Sequence, residues 1–90
     1  MVTQIIEYIK SHKGVPVSAR NLSEAFGISG FEIRRIINCA RSEGCPICSC
    51  HKGYYYSEDS VEIKKTVDSL RHRIESIQRA INGLSSRVGG

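Results

Sequence analysis

The segment LSEAFGISGFEIRRIINCARSEG, from Leu22 to Gly44, constrains the fold more than any other part of the chain. Apolar residues at helical spacing lie on both sides of a short Gly-Ile-Ser-Gly joint, so the segment predicts two helices that cross steeply. Ser18 can cap the earlier helix of this pair, and Gly27 permits the left-handed backbone that ends that helix. Ser29 lies three residues before Glu32, which is the spacing of a capping box at the start of the second helix.

The rest of the chain predicts one helix before this pair, then a small hairpin and a long helix after it. Apolar spacing indicates a first helix over residues 2–11, whereas VPVS, interrupted by Pro16, can form an edge strand at most. CPICSC and YYYS are short β-prone runs joined by the loop HKG. Asp59 and Glu62 form a second capping box, which begins a helix over about residues 60–84. The predicted fold is therefore mainly α with a small β-hairpin.

The last helix carries an apolar stripe with a 3.5-residue period, which is typical of a coiled coil. The stripe consists of Ile63, Val67, Leu70, Ile74, Ile77, Ile81 and Leu84. A helix of this length spans roughly 37 Å, more than a globular part of about 55 residues can cover, so we expect a homo-oligomer formed through this coiled-coil-like helix. The flanking positions carry no acids and leave the orientation and number of helices open: Lys64, Thr66, Arg71, Arg73, Gln78 and Ala80.

Length and charge limit the number of domains and the kind of partner that we expect. The 90 residues indicate one small domain, and 13 Lys and Arg against 9 Asp and Glu give a net charge of +4, which favours a polyanionic partner. No stretch has the ~18 apolar residues of a membrane span, and we find no signal peptide, so we expect a cytoplasmic protein without a membrane partner. We expect a globular domain over residues 1–57, an oligomerisation helix over 58–85 and a disordered tail over 86–90.

One part of the sequence is similar to a known family. VPVSARNLSEAFGISGFEIRRIINCARSEGCPI followed by KGYYY resembles the winged helix-turn-helix module at the N-terminus of the biotin-repressor family, over roughly residues 2–57. The resemblance implies a winged helix-turn-helix fold that binds operator DNA as part of a dimer. These 90 residues contain no counterpart of that family's biotin ligase domain, so the resemblance implies a DNA-binding module only. The positions that carry it, besides KGY, are Leu22, Ser23, Gly27, Ile28, Ile33 and Ile36.

The second helix of the pair is the candidate DNA-reading element. With Ile33 and Ala40 inward, its outer face centres on Arg35 and Asn38, and these residue types can form paired hydrogen bonds to guanine and adenine. The start of the preceding helix and the hairpin tip offer further contacts to phosphates. The full set of candidate DNA-binding residues is Ser18, Arg20, Ser29, Phe31, Arg34, Arg35, Asn38, Arg41, Ser42, His51 and Lys52.

Four cysteines, Cys39, Cys45, Cys48 and Cys50, raise the question of a metal site. Cys45 and Cys48 have C-x-x-C spacing, but a structural zinc site usually takes its second pair from a separate knuckle, and none follows. We therefore favour buried small thiols over zinc, with redox sensing as an alternative. No Gly-rich phosphate loop and no Ser, His and acid grouping is recognisable, so we expect no enzyme activity and no cofactor.

Together these features predict a sequence-specific protein that binds double-stranded DNA, regulates transcription as a small oligomer and resides in a bacterial or phage-infected cell. Two alternatives stay open. A DNA-binding factor of phage type could mark a replication origin or a packaging site. A winged-helix scaffold could instead bind a partner protein, because fold alone does not determine function.

Overall fold

The computed structural model describes residues 1–89 as four helices and one hairpin. In chain order the elements are α1 (Val2–Ser11), α2 (Ala19–Phe26), α3 (Gly30–Ser42), β1 (Ile47–Cys50), β2 (Gly53–Tyr56) and α4 (Ser60–Arg87). The prediction of a mainly α fold with a small antiparallel hairpin and a long C-terminal helix is confirmed. None of these helices combines the length and the apolar character that crossing a bilayer requires.

The joint between α2 and α3 forms as its residues predict. The Ser18 hydroxyl accepts a hydrogen bond from the Asn21 backbone N–H at 3.0 Å, and Gly27 ends α2 with φ of 66°. Ser29 caps α3 by accepting from the Glu32 backbone N–H at 3.1 Å. The reciprocal half of the capping box is missing among the described contacts, because the Glu32 carboxylate pairs with Arg35 instead.

The core lies where α1, α2, α3 and β1 meet. Each of these elements buries one apolar stripe, and α3 contributes the largest share, as the period of its isoleucines predicts. On α2, Leu22 is buried and Phe26 packs at the edge of the core, whereas Ala25 is exposed. The buried cluster consists of Ile5, Ile9, Val17, Leu22, Ile33, Ile36, Ile37 and Ile47.

The hairpin is tied to the segment that precedes α2. Val17 and Tyr54 exchange backbone hydrogen bonds of 2.7 and 2.8 Å, so VPVS forms one bridge at the sheet edge. Cys50 pairs with Gly53, so the turn is His51 and Lys52 alone and not the predicted three-residue loop HKG. Gly53 has φ of 138°, and a Cβ there would overlap the Val17 carbonyl, so this position requires glycine.

Two polar contacts hold the start of α4 against the hairpin. The Ser49 backbone N–H donates to the Thr66 hydroxyl at 3.2 Å, and the Tyr55 hydroxyl donates to the Glu62 carboxylate at 2.6 Å. Thr66 is only 6% exposed, so it packs against the globular part and does not flank an open coiled-coil seam as the sequence suggested. This side of α4 therefore faces the hairpin.

The far end of α4 is longer than predicted. The helix continues past Leu84 to Arg87, and the Ser86 hydroxyl donates to the Gly83 carbonyl at 2.7 Å. The expected disordered tail over residues 86–90 is therefore wrong for Ser86 and Arg87, which are helical, and Gly90 lies outside the described residues. The local reason is that Ser and Arg are compatible with a helix end, and a basic residue in the last turn complements the helix dipole.

The apolar stripe of α4 divides into two parts. Ile63 and Leu70 are half-buried beside residues 44–48, where Val67 completes an open apolar groove of about 340 Å³. Beyond Arg71 every described side chain of α4 is exposed. The exposed apolar residues in this part are Ile74 at 64%, Ile77 at 53%, Ile81 at 49% and Leu84 at 73%. We call these four residues the seam.

Alkaline pH should weaken the contact that holds α4 at its start. The hydrogen bond to Glu62, then burial and the carboxylate charge, raises the pKa of Tyr55 from 10.0 to about 12. Because the folded pKa lies above the unfolded one, the stabilisation is complete below pH 10.0 and is lost as pH rises through about 12. Denaturant unfolding on both sides of this window should show a smaller alkaline loss of stability in Tyr55→Phe than in the wild type. Equal losses would contradict the assignment.

Candidate functional site

A cleft of about 290 Å³ opens between the outer face of α3 and the hairpin. The start of α2 and one side chain of α4, Arg73, also line it. The cleft therefore collects parts of five elements, α2, α3, β1, β2 and α4. Its lining consists of Ser18, Ala19, Arg34, Asn38, Arg41, Ser49, Cys50, His51, Lys52, Gly53, Tyr54 and Arg73.

The face of α3 that lines the cleft is set by the stripe that the helix buries. Because Ile33, Ile36, Ile37 and Ala40 point into the protein, the residues at spacing i, i+4 and i+7 on the neighbouring side share one row along the cleft. In this protein that row is Arg34, Asn38 and Arg41. The sequence analysis centred the outer face on Arg35 and Asn38. In the structure the cleft is lined by Arg34, the residue before Arg35, together with Asn38.

Arg35 and Ser42 lie outside the cleft. The Arg35 guanidinium forms an ion pair with Glu32 at 3.1 Å, and the Ser42 hydroxyl donates to the Cys39 carbonyl at 2.7 Å. Both side chains are exposed and can be reached from solvent. Phe31, which is 67% exposed, forms a shallow depression with Arg34, Arg35 and Asn38, so the outer surface of α3 continues from the cleft toward its N-terminus.

The two helix caps among the predicted residues have local roles. Ser18 lines the cleft while its hydroxyl caps α2, and Ser29 is exposed at the start of α3 and caps that helix. Arg20 lies outside the cleft, forms an exposed ion pair with Glu24 at 3.3 Å and shares a neighbouring surface depression with Arg34. Of these three, Ser18 lines the same cleft as the row on α3, and Arg20 lies beside Arg34 of that row.

Arg41 differs most from its predicted role as an outward contact. It is half-buried, and its Nε–H donates to the Ile47 carbonyl at 2.7 Å, which ties α3 to β1. Its guanidinium lies 5.7 Å from the centre of the Tyr54 ring. Burial lowers the pKa of Arg41, Tyr54 and Cys48 oppose that shift, and the charge of Arg73 reinforces it. Because an arginine stays protonated in proteins, a cation is fixed in the cleft wall.

The hairpin turn places two further polar residues at the rim. His51 and Lys52 are exposed, and both line the cleft. A two-residue turn keeps them close to β1 and β2, so their backbone positions are defined by the pairing of Cys50 with Gly53. The predicted contribution of the hairpin tip to the same surface as α3 is consistent with this arrangement.

The charge of the cleft is not balanced inside the protein. No acidic side chain lines it, and the ion pairs of residues 1–89 use other cations, namely Lys10, Arg20, Arg35 and Lys65. Within that part of the chain, Arg34, Arg41, Lys52 and Arg73 have no acidic partner. A cleft lined by several cations without acidic partners attracts anions, because a bound anion relieves the repulsion between the cations.

Sequence reasoning missed Arg73 as a cleft residue. It was assigned to the flank of the apolar stripe, and its position relative to the hairpin depends on the packing of Thr66 against β1. Thr66 and Arg73 are seven residues apart, which is close to two helical turns, so they share one side of α4. The sequence contained no signal for this, because the burial of Thr66 is visible only once the hairpin is packed against α4.

The cysteines do not form the buried set that the sequence favoured. Cys48 is buried and Cys45 half-buried, but Cys39 and Cys50 are exposed, because Cys39 lies on the outer side of α3 and Cys50 lines the cleft. Burial raises the pKa of the Cys45 thiol. Residues 1–89 contain no group of three or more His, Cys, Asp or Glu side chains arranged to hold a metal ion.

Comparisons with protein-family models, with curated proteins and with solved structures found no match to this chain.

Proposed function

We propose that this protein is a winged helix-turn-helix protein that binds double-stranded DNA in a sequence-specific manner and regulates transcription as an oligomer. The observation that carries the proposal is the cationic cleft between α3 and the hairpin, with its unbalanced charges Arg34, Arg41 and Lys52. In winged-helix recognition the helix after the turn enters the major groove and the hairpin acts as the wing, so the row on α3 and the hairpin tip would face one duplex together.

The chemistry of α3 supports base contacts. Arg34 and Asn38 are exposed and one turn apart, and no acidic residue pairs with Arg34 within residues 1–89. A guanidinium can form two hydrogen bonds to guanine, and a carboxamide can form two to adenine. Arg35 would have to exchange its pairing with Glu32 for a phosphate or a base, which costs little for an exposed pair.

The seam supports the oligomeric part of the proposal. Four large apolar residues at heptad spacing are exposed on a helix that projects from the globular part, and burying them against a second copy would remove them from water. A twofold pair of such proteins would place two α3 helices on one duplex and favour an inverted-repeat site.

The proposal is tested by selecting bound duplexes from a random pool, followed by binding measurements over a range of salt. We expect an enriched site with two related halves, and affinity that falls steeply as salt rises, by about 0.9 log units per log salt for each phosphate contact. A lack of duplex binding at low salt would contradict the proposal. It would favour a protein-interaction scaffold, for which the exposed seam is the supporting observation. Binding sites at a replication origin or packaging site would instead identify the phage-type role.

Replacing Asn38 with alanine should weaken binding to the selected site by about 1–3 kcal/mol and relax preference at one base position, because the lost carboxamide contacts are specific to one base. Titrations with the selected duplex and with single-base variants measure both effects. Asn82→Ala is the matched control, since Asn82 is an exposed asparagine outside the cleft. If Asn38→Ala and Asn82→Ala bind with the same affinity and preference, Asn38 does not contact a base.

A further inference from the structure

We infer that Arg73 of α4 completes a phosphate-binding site in the cleft, so that the last helix contacts the nucleic-acid backbone directly as well as carrying the seam. This inference rests on the proposed function and extends it, because winged-helix contacts through α3 and the hairpin do not require a residue from the following helix. The ligand group is a backbone phosphodiester, held by Arg73 together with Arg41 and Lys52.

The position of Arg73 is fixed by packing. Seven residues before it, Thr66 is buried against the hairpin and accepts a hydrogen bond from the Ser49 backbone N–H. The same side of α4 therefore reaches the cleft two turns later, where Arg73 joins residues 50–52 in its lining. A helix held in this way fixes the backbone position from which the exposed Arg73 side chain enters the cleft.

The charges in the cleft are arranged for an external anion. Arg41 and Arg73 both line the cleft, and no carboxylate lines it. The Arg41 Nη2 atom is buried without a hydrogen-bond partner in residues 1–89, although its Nε–H is used by the Ile47 carbonyl. A buried donor on a charged group is costly unless something accepts from it. A phosphate in the cleft would supply such an acceptor once the Arg41 side chain turns its Nη2 toward the opening, with Arg73 as the second cation.

Phosphate is the anion that fits this place best. A guanidinium presents a planar fork of donors that matches phosphate oxygens, and a lysine ammonium adds a point charge. Lys52 provides that charge from the hairpin turn and lines the same cleft as Arg73. The cleft is open at the surface and adjoins the exposed row on α3, so a phosphate of a bound duplex can reach it while neighbouring bases face Arg34 and Asn38.

The test compares two arginines of α4 that flank the same apolar stripe. Arg73→Gln removes the charge in the cleft, and Arg71→Gln removes an equal charge from an exposed position outside it. Binding of a random-sequence duplex is measured over a range of salt, with the mass of each variant checked by light scattering. We expect Arg73→Gln to reduce the salt slope by about 0.9, the value for one lost phosphate contact, and Arg71→Gln to leave it unchanged. Arg73→Lys should keep the wild-type slope, since it keeps the charge.

Each outcome has a distinct meaning. If the wild type binds duplex and Arg73→Gln has the same salt slope as Arg71→Gln, the phosphate site is wrong and the proposed function stands. If the wild type binds no duplex, the proposed function and this inference both fail. Inorganic phosphate forms a second arm, followed by NMR shifts of the residues in the cleft without duplex. Tight, Arg73-dependent binding of inorganic phosphate by a protein that ignores duplex DNA would identify a free anion as the ligand and overturn the assignment to nucleic acid.

Discussion

Replacing Ile74 with aspartate should reduce the protein to a folded monomer of 10.0 kDa. Ile74 is 64% exposed in the single chain, so the substitution removes little packing from the globular part. In an assembled seam the same side chain would be surrounded by apolar residues of another copy, and a buried, unpaired carboxylate there costs several kcal/mol. Light scattering or sedimentation measures the mass, and circular dichroism reports whether the helices are retained.

The matched control for this prediction is Ser76→Asp. Ser76 is exposed in the same region of α4 but lies off the seam, so it introduces the same charge without entering the interface. We expect Ser76→Asp to keep the wild-type mass. An Ile74→Asp protein with the mass of the wild type would refute assembly through the seam, as would a wild-type protein that is monomeric at every concentration tested.

Replacing Gly53 with alanine should destabilise the fold by about 2–6 kcal/mol. The backbone at Gly53 has φ of 138°, which is strained for any residue with a Cβ and costs about 1–3 kcal/mol. The added Cβ would also overlap the Val17 carbonyl, which accepts the hydrogen bond from Tyr54, and relieving such an overlap costs about 1–3 kcal/mol more. Denaturant unfolding at a fixed protein concentration measures the loss.

Gly83 provides a control with the opposite sign. It lies inside α4, and a Cβ there would meet nothing within 4 Å. Gly83→Ala should therefore stabilise the helix by about 0.5–1 kcal/mol, since alanine loses less backbone freedom than glycine when a helix forms. If Gly53→Ala has the same denaturant midpoint of unfolding as the wild type, the close approach of the hairpin to Val17 is not present in solution.

The parts of the fold that sequence could predict are those fixed by neighbouring residues. Ser18, Gly27 and Ser29 each form the cap or stop that their positions predict, because a cap depends on backbone groups only two to five residues away. Asp59 caps α4 through the Val61 backbone N–H, whereas Glu62, its predicted capping-box partner, accepts from the Tyr55 hydroxyl instead. The buried stripe of α3 follows from a helical period within one element. These local rules gave the helix boundaries to within a few residues, apart from the end of α4.

The parts that sequence could not predict depend on how distant elements pack. The position of the hairpin decides which side of α3 faces the cleft. Arg34 therefore lines the cleft, whereas Arg35, which the sequence placed at the centre of the outer face, lies outside it. The helical period predicts that Arg41 points outward. Its Nε–H instead donates to the Ile47 carbonyl, which joins α3 to β1, and no local pattern in the sequence reveals that contact. Arg73 joins the cleft only because Thr66 is hydrogen-bonded to Ser49 of β1, which lies 17 residues earlier in the chain.

The attachment of α4 to the hairpin also fixes an angle. Since α4 is unbroken from Ser60 to Arg87, the direction in which Ile74 points is set by where Thr66 is anchored. One residue inserted between Arg73 and Ile74 would turn everything beyond by about 100°, whereas seven would restore the orientation nearly completely and lengthen the helix by about 10 Å. In the proposed assembly, the separation and relative rotation of two copies on a duplex would therefore depend on the number of residues in α4.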